Sequence, residues 1–300
     1  MNFREFLILT LVCTIWGLHF VVMKVTVGQT APPLFYAAVR MTIVAIILLP
    51  FLKWHTGMMS KILLGGLGFG AFNYAFMFPA LGMTTASAAA LTIELYVPFS
   101  IILSVLFLGE RIGYRRIIGI GLAFAGVALI ALAKPDEEAG PRFLLGILMM
   151  ACAAMSEAIG AIMVKKVEGV KPLQLLVWFA IVGSAVLLPL SLVLEDNQLL
   201  SFSSENRWPF IGALLYSSLA VSLIAHGSYY WLLQRLPVYI VSTSGLMTTL
   251  VAVTASVLIL KDPLTPPFLI GGTMTLCGIG FILYARKQRL SAKPTQIELH

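Results

Sequence analysis

Five ionisable side chains stand where few are tolerated. His19, Arg40, Glu94, Glu157 and His226 each lie well inside a long apolar run. A charged group at the centre of a bilayer helix costs roughly 2.5–3.5 kcal/mol on insertion scales, so each of these marks a candidate site. Trp16 and His19 are one helical turn apart and share a face, a flat apolar wall carrying two kinds of hydrogen-bonding nitrogen. His226 and Tyr230, and likewise Tyr74 and Phe78, are spaced by four and share faces too. Such walls suit an aromatic or amphipathic solute, and packing between helices is the competing use of the same rings. Glu157, with Ser156 beside it, falls near the middle of its run. A carboxylate there can hold an ammonium group or take up a proton, and a hydrogen bond to a neighbouring helix is the structural alternative. Arg40 and Glu94 are expected to pair between two helices as a tether. Pro98 leaves the carbonyl of Glu94 without its helical donor and kinks its helix, a point that gating can use. Glu110 sits among Arg111, Arg115 and Arg116, and Asp262 follows Lys261. Both acids are expected as helix-end contacts that can act as gates.

The elements that must position these residues are apolar throughout. The 300 residues are 59% hydrophobic and only 11% charged, against about 45–50% and 25% in a soluble domain. Mean hydropathy is +0.96. Polar surface is too scarce for a soluble enzyme, a disordered chain or a disulfide scaffold. A bilayer helix needs about 17–25 residues, and ten such runs follow one another at 5–26, 34–52, 62–82, 86–108, 113–133, 143–164, 172–194, 209–233, 238–260 and 265–285. The fold class is therefore an all-α integral membrane protein of ten transmembrane helices. The first run is too long for a signal peptide core and is read as a retained helix.

Basic residues orient the chain. With the N-terminus inside, the inner segments hold Arg4, Lys53, Lys61, Arg111, Arg115, Arg116, Lys165, Lys166, Lys171, Arg235, Arg286, Lys287, Arg289 and Lys293, whereas the outer ones hold Lys134, Arg142, Arg207 and Lys261. That bias places both termini in the cytoplasm of a bacterial inner (plasma) membrane. The net charge of +7 is thus a topology signal, and the scatter of Lys and Arg between spans argues against a nucleic-acid partner. Cys13, Cys152 and Cys277 all lie inside apolar runs and are expected as free thiols, with no metal site.

The chain also repeats itself. A shift of 152 residues carries Leu81 onto Leu233, Ser104 onto Ser256, Glu110 onto Asp262, Gly119 onto Gly271 and Gly126 onto Gly278. The first span matches the sixth at a shift of 141, with Lys24 on Lys165 and Trp16 on Glu157. Residues 3–133 and 143–286 are accordingly read as two five-helix units, followed by a hydrophilic cytoplasmic tail at 287–300. Five crossings are an odd number, so the second unit is inverted relative to the first, an arrangement that secondary transporters use to rock about a midplane site. The glycines at Gly65–Gly70, Gly119 and Gly126 are read as helix-packing positions, since a phosphate loop would follow a strand.

The stretch from Pro98 through Gly109, Glu110 and Arg111 to Gly119 and Gly126 resembles the drug/metabolite transporter superfamily in its EamA branch. "WGLHFVVMK" on the first span, and "YAAVRMTIVAIILL" with Arg40 on the second, are similar to that family too. Length and aromatic content resemble YddG-type exporters of aromatic and neutral amino acids. The second half departs from the pattern, with Leu250 where a proline is expected and Lys261-Asp262-Pro263 in place of Gly-Glu-Arg. The resemblance implies ten helices, inverted repeats and a central cavity lined by both halves.

Residues and resemblance together predict a secondary transporter and no enzyme, needing no cofactor. The expected partners are membrane lipid and a small-molecule substrate, an amino acid or related metabolite, and a monomer is the expected unit. Substrate-binding candidates are Trp16, His19, Tyr74, Phe78, Ser156, Glu157, His226 and Tyr230. Arg40, Glu94, Pro98, Glu110 and Asp262 are gating or structural candidates. A proton-coupled drug or metabolite antiporter is the rival reading.

Overall fold

A computed structural model describes residues 2–26, 31–109, 112–132, 142–203, 205, 207–233, 235–236 and 244–291. Nine helices among them are long and apolar enough to cross a membrane: α1 Phe3–Thr26, α2 Pro33–Phe51, α3 Met59–Met83, α4 Ala86–Leu108, α5 Tyr114–Leu132, α6 Phe143–Lys165, α7 Pro172–Leu194, α8 Arg207–Tyr229 and α10 Pro266–Tyr284. The shorter apolar helix α9, Ser244–Leu260, stands between the last two. The chain is a ten-helix, all-α membrane protein. The perimeter carries exposed apolar side chains such as Ile117, Ile118, Leu192, Val193, Leu258 and Ile259, which hydrocarbon tolerates and water does not.

Element boundaries differ from the sequence reading in three places. α3 begins at Met59, three residues before the expected start. The expected first residues of α9, 238–243, lie outside the described set. The last helix runs on to Ser291, past the expected end at 285 and into the segment read as tail. Arg286-Lys287-Gln288-Arg289-Leu290 are all good helix formers with no Gly or Pro to stop them.

Helix packing follows a pattern that survives exchange of the two halves. α5 packs on α10 and α2 on α7, each the partner of its own counterpart. α1 packs on α9 and α8, and α6 packs correspondingly on α4 and α3. The α5–α10 crossing is antiparallel and depends on small residues: a Cβ on Gly119 would stand 2.7 Å from the carbonyl oxygen of Gly278, and one on Gly126 would strike the carbonyl oxygen of Gly271. In the 152 register these two contacts are images of one another. The Gly65–Gly70 segment packs as expected: a Cβ on Gly68 would lie 2.7 Å from the Cα of Gly160 on α6.

Among the described residues three helices are interrupted mid-span, and α9 ends in a π-helix at Ser256–Leu260. α3 widens into a π-helix at Leu67–Phe72 and α8 at Tyr216–Ala225. The 152 shift carries the first onto residues 219–224, inside the second. α4 breaks between Ile93 and Tyr96: the amides of Leu95 and Val97 reach back only three residues, to Thr92 and Glu94, both at 3.0 Å. Pro98 has no amide hydrogen for the Glu94 carbonyl, which is the kink read from the sequence.

These contacts predict a contrast. Gly126→Ala overpacks the α5–α10 crossing and is expected to cost about 1–3 kcal/mol. Gly121→Ala on the same helix, with nothing within 4 Å of its Cβ, is expected to be neutral or to gain up to about 1 kcal/mol in helix propensity. Thermal unfolding of the purified variants in detergent checks both, and equal melting temperatures would contradict the crossing.

Candidate functional site

Trp16, of the expected pair on α1, meets His226, of the expected pair on α8. The indole of Trp16 packs edge-on against the imidazole of His226, centroids 5.1 Å apart, and against Tyr229 at the same separation. One turn further along α1, Nε2 of His19 lies 3.1 Å from Oγ of Ser217. Ser217 is 2.6 Å from the hydroxyl of Tyr36 on α2, which donates to the carbonyl of Ala213 at 2.7 Å. A tyrosine hydroxyl has one proton, and Ala213 can only accept. The run is therefore directional: His19 Nε2–H donates to Ser217, Ser217 to Tyr36 and Tyr36 to Ala213. His226 is oriented in a similar way, because its Nδ1 lies 2.7 Å from the carbonyl of Val221 five residues back and must donate to it. Ser222 likewise donates to the carbonyl of Ser217, five back, at 3.1 Å.

Arg40 enters the same neighbourhood from α2. It is 1% exposed, its guanidinium lies 4.8 Å above the ring of Tyr74, and Nη2 donates to Ser222 at 3.3 Å. The expected pair with Glu94 does not form. Glu94 accepts from Oγ1 of Thr249 on α9 at 2.8 Å, and the missing side chain of Gly245 leaves its carboxylate room: a Cβ there would come within 3.1 Å. The break in α4 points Glu94 towards α9, away from α2.

Glu157 lies on the far side of α3. It accepts from the amide of Asn73 at 3.3 Å, and the same amide donates to the carbonyl of Ala153 at 3.0 Å. Glu157 and Glu94 are near enough to interact electrostatically. Tyr74 and Phe78 share a face as expected, their rings tilted to one another at 5.5 Å, but Phe78 is fully buried against Tyr36 and belongs to the packed core. Ser156 is also engaged in packing, donating to the carbonyl of Gly68 on α3 at 3.1 Å. The side chain of Tyr230 and all of Glu110 lie outside the described residues.

Asp262 is a junction. Its Oδ2 accepts from the amide of Ser87 at 3.0 Å, from the Ser87 hydroxyl at 2.7 Å and from the hydroxyl of Ser256. It thereby caps α4 and ties it to the end of α9. Lys24 lies within electrostatic reach of it and donates to the carbonyls of Leu81 and Thr84 at 2.8 and 2.6 Å. In the repeat register, Lys165 donates to Ser104 at 3.2 Å, where Lys165 and Ser104 are the images of Lys24 and Ser256.

Comparison with known proteins gives this geometry a setting. The profile of the EamA-like transporter family matches residues 4–132 and 144–284. The chain belongs to this family. A relative from Escherichia coli (strain K12), named "Probable amino-acid metabolite efflux pump", is 26% identical, with 98% of this chain and 99% of that protein covered. Its namesake in Salmonella typhimurium is 27% identical, with the same coverage. An "Uncharacterized transporter" of Archaeoglobus fulgidus is 28% identical over 94% of this chain and all of that one. A solved crystal structure shares the fold with a TM-score of 0.62 and 16% identity, covering 96% of this chain and 99% of that one.

Within this EamA member the sequence reading missed Tyr36, Asn73, Ser217, Ser222 and Thr249. Asn73 is the one asparagine inside an expected span, a signal that was legible. Ser217 and Ser222 share a face at a spacing of five, which is right for a π-helix and wrong for an α-helix.

The site yields a second contrast. Trp16→Ala and His19→Ala are expected to lower saturable uptake at least about tenfold, a loss of roughly 1.4 kcal/mol, at unchanged membrane insertion and yield. Ser156→Ala is expected to lower melting temperature with little effect on uptake per folded molecule. Proteoliposome flux normalised to folded protein measures both.

Proposed function

We propose that the chain exports small metabolites, neutral and aromatic amino acids foremost, by alternating access around the meeting point of α1, α2, α3 and α8. The observation that carries this reading is the wall of Trp16, His226 and Tyr229 beside His19 and Arg40. Rings with polar edges and few charges, drawn from both halves of the chain, match a solute with an apolar ring and a polar end. The name of the Escherichia coli and Salmonella relatives points to the same class of solute. In this reading Tyr74 completes the aromatic lining, Phe78 and Ser156 hold the wall from behind, and Glu157 receives the substrate ammonium.

Residues 3–133 and 143–286 act as inverted repeats that rock about the site. The exchange-invariant packing of the helices supports this. The interruptions of α3, α4 and α8 supply the compliant points, and the Asp262 junction and Glu110 act as gates at opposite ends. In this reading both termini lie on the cytoplasmic side of the inner membrane, which the distribution of basic residues supports. The driving force is the substrate gradient alone. Proton-coupled antiport is the second reading, favoured by the proximity of Glu94 and Glu157.

Counterflow of labelled phenylalanine in proteoliposomes tests the proposal. Saturable exchange that is unchanged by an imposed pH gradient is the expected outcome. Flux that rises with the gradient, and falls in Glu157→Gln, would replace facilitated diffusion by antiport. Absence of saturable flux for every amino acid tried would overturn the substrate class.

A further inference from the structure

Arg40 has a positive charge and no negative partner among the described residues. It is 1% exposed, and Nε and Nη1 have no acceptor among the described residues. Its one hydrogen bond, to Ser222 at 3.3 Å, goes to a neutral hydroxyl that itself donates to Ser217. The ring of Tyr74 supplies a partial, face-on attraction. Of the three ionisable groups that share its electrostatic neighbourhood, His19 and His226 cannot compensate a cation, and Tyr36 keeps its proton to donate to the Ala213 carbonyl and stays neutral. The two carboxylates well inside the described spans bond to other groups, Glu94 to Thr249 and Glu157 to Asn73. A further donor without an acceptor among the described residues, Nε1 of Trp16, belongs to a ring that packs on His226, itself within electrostatic reach of Arg40.

A buried guanidinium left unpaired is among the most costly arrangements in a protein interior. Donors on Arg40 and on Trp16 that lack acceptors define a complement that is anionic and accepts hydrogen bonds. We infer that Arg40, with Trp16, is the receptor for the substrate's carboxylate, so that the transported species carries a free carboxylate group. This rests on the reading of the site as an amino-acid pathway and adds its negative pole. Asn73 and Tyr74 are consecutive on α3, so the acid side at Glu157 and the basic side at Arg40 lie at the same depth, about 100° apart around one helix. An ammonium and a carboxylate on the same small molecule fit that polarity. A phosphate does not, because among the described residues here Arg40 alone offers a cation for two negative charges.

The test compares an acid with its amide on the unaltered protein. Competition by phenylalanine and by phenylalaninamide is measured in phenylalanine counterflow, with inorganic phosphate as a third arm. Loss of a charged hydrogen-bonding pair is expected to weaken competition by the amide about tenfold to a hundredfold, and phosphate is expected not to compete. Equal competition by acid and amide, with robust flux, would overturn the inference and leave the transport reading standing. If no amino acid is transported, that reading falls, and Arg40 is judged by thermal stabilisation with phenylacetate against phenylacetamide. Stabilisation by phenylacetate alone, retained in part by Arg40→Lys and lost in Arg40→Gln, upholds the carboxylate receptor. Equal responses to the two compounds reject it whether or not the variants fold.

Discussion

Hydrocarbon offers no hydrogen-bond partner, and the rest of this structure is arranged around that fact. A polar group carried into a span is met from another helix or from a backbone carbonyl of its own, or, like the donors of Arg40 and Trp16, stands unmet at a cost. Asn73 spans α3 and α6 through one amide. Thr42 on α2 and Ser184 on α7 share a hydroxyl contact of 2.6 Å where those two helices pack. Lys24 is held by two carbonyls at the end of α3. These bonds each add little stability, since polar contacts between membrane helices average well under 1 kcal/mol. Their effect is to fix which helix faces which, because any rotation strands a donor in a medium that cannot replace its partner.

The helix interruptions obey the same rule and show why the polar residues cluster near them. A π-turn shifts the backbone ladder by one residue, and side chains can then reach its carbonyls. His226 and Ser222 do so on α8, each at five residues' distance. The geometry that weakens the helix is therefore also what orients His226 and fixes its tautomer. The break in α4 turns Glu94 towards Thr249 and away from Arg40, so one missing amide at Pro98 bears on the partners of two ionisable residues, one on its own helix and one on α2.

Ten spans, their order and the kink at Pro98 were legible because they depend on length, hydropathy and local backbone chemistry. The meeting of Trp16 with His226 was legible in part, since both faces were marked by spacing though their contact was not. Pairing was not legible. Arg40 and Glu94 looked complementary as types, but neighbour relations in the membrane are set by helix rotation, which small residues such as Gly245 and Gly126 control through close contact. The hydroxyl relay from His19 to Ala213 was hidden for another reason: serine is common in membrane helices, and its role emerges only when a π-turn brings Ser217 round to face Tyr36.

The repeat register adds a last step. Under it, His19 corresponds to Gly160, Ser217 to Gly65 and Ser222 to Gly70. The α1–α8 interface is joined by a hydrogen bond between His19 and Ser217. Its counterpart between α6 and α3 is closed by backbone, with a Cβ on Gly160 only 3.2 Å from the carbonyl oxygen of Gly65. Glycine seals one interface; polar side chains hold the other apart. Two halves with nearly the same helix packing therefore differ where chemistry is concerned. Basic and aromatic groups gather at the α1–α8 side, and Glu157 is left at the α3–α6 side. A scaffold that alternates between two equivalent states needs the symmetry of the packing. A site that holds a molecule with unlike ends needs that symmetry broken, and substituting glycine for histidine and serine at matched positions breaks it without disturbing the helices.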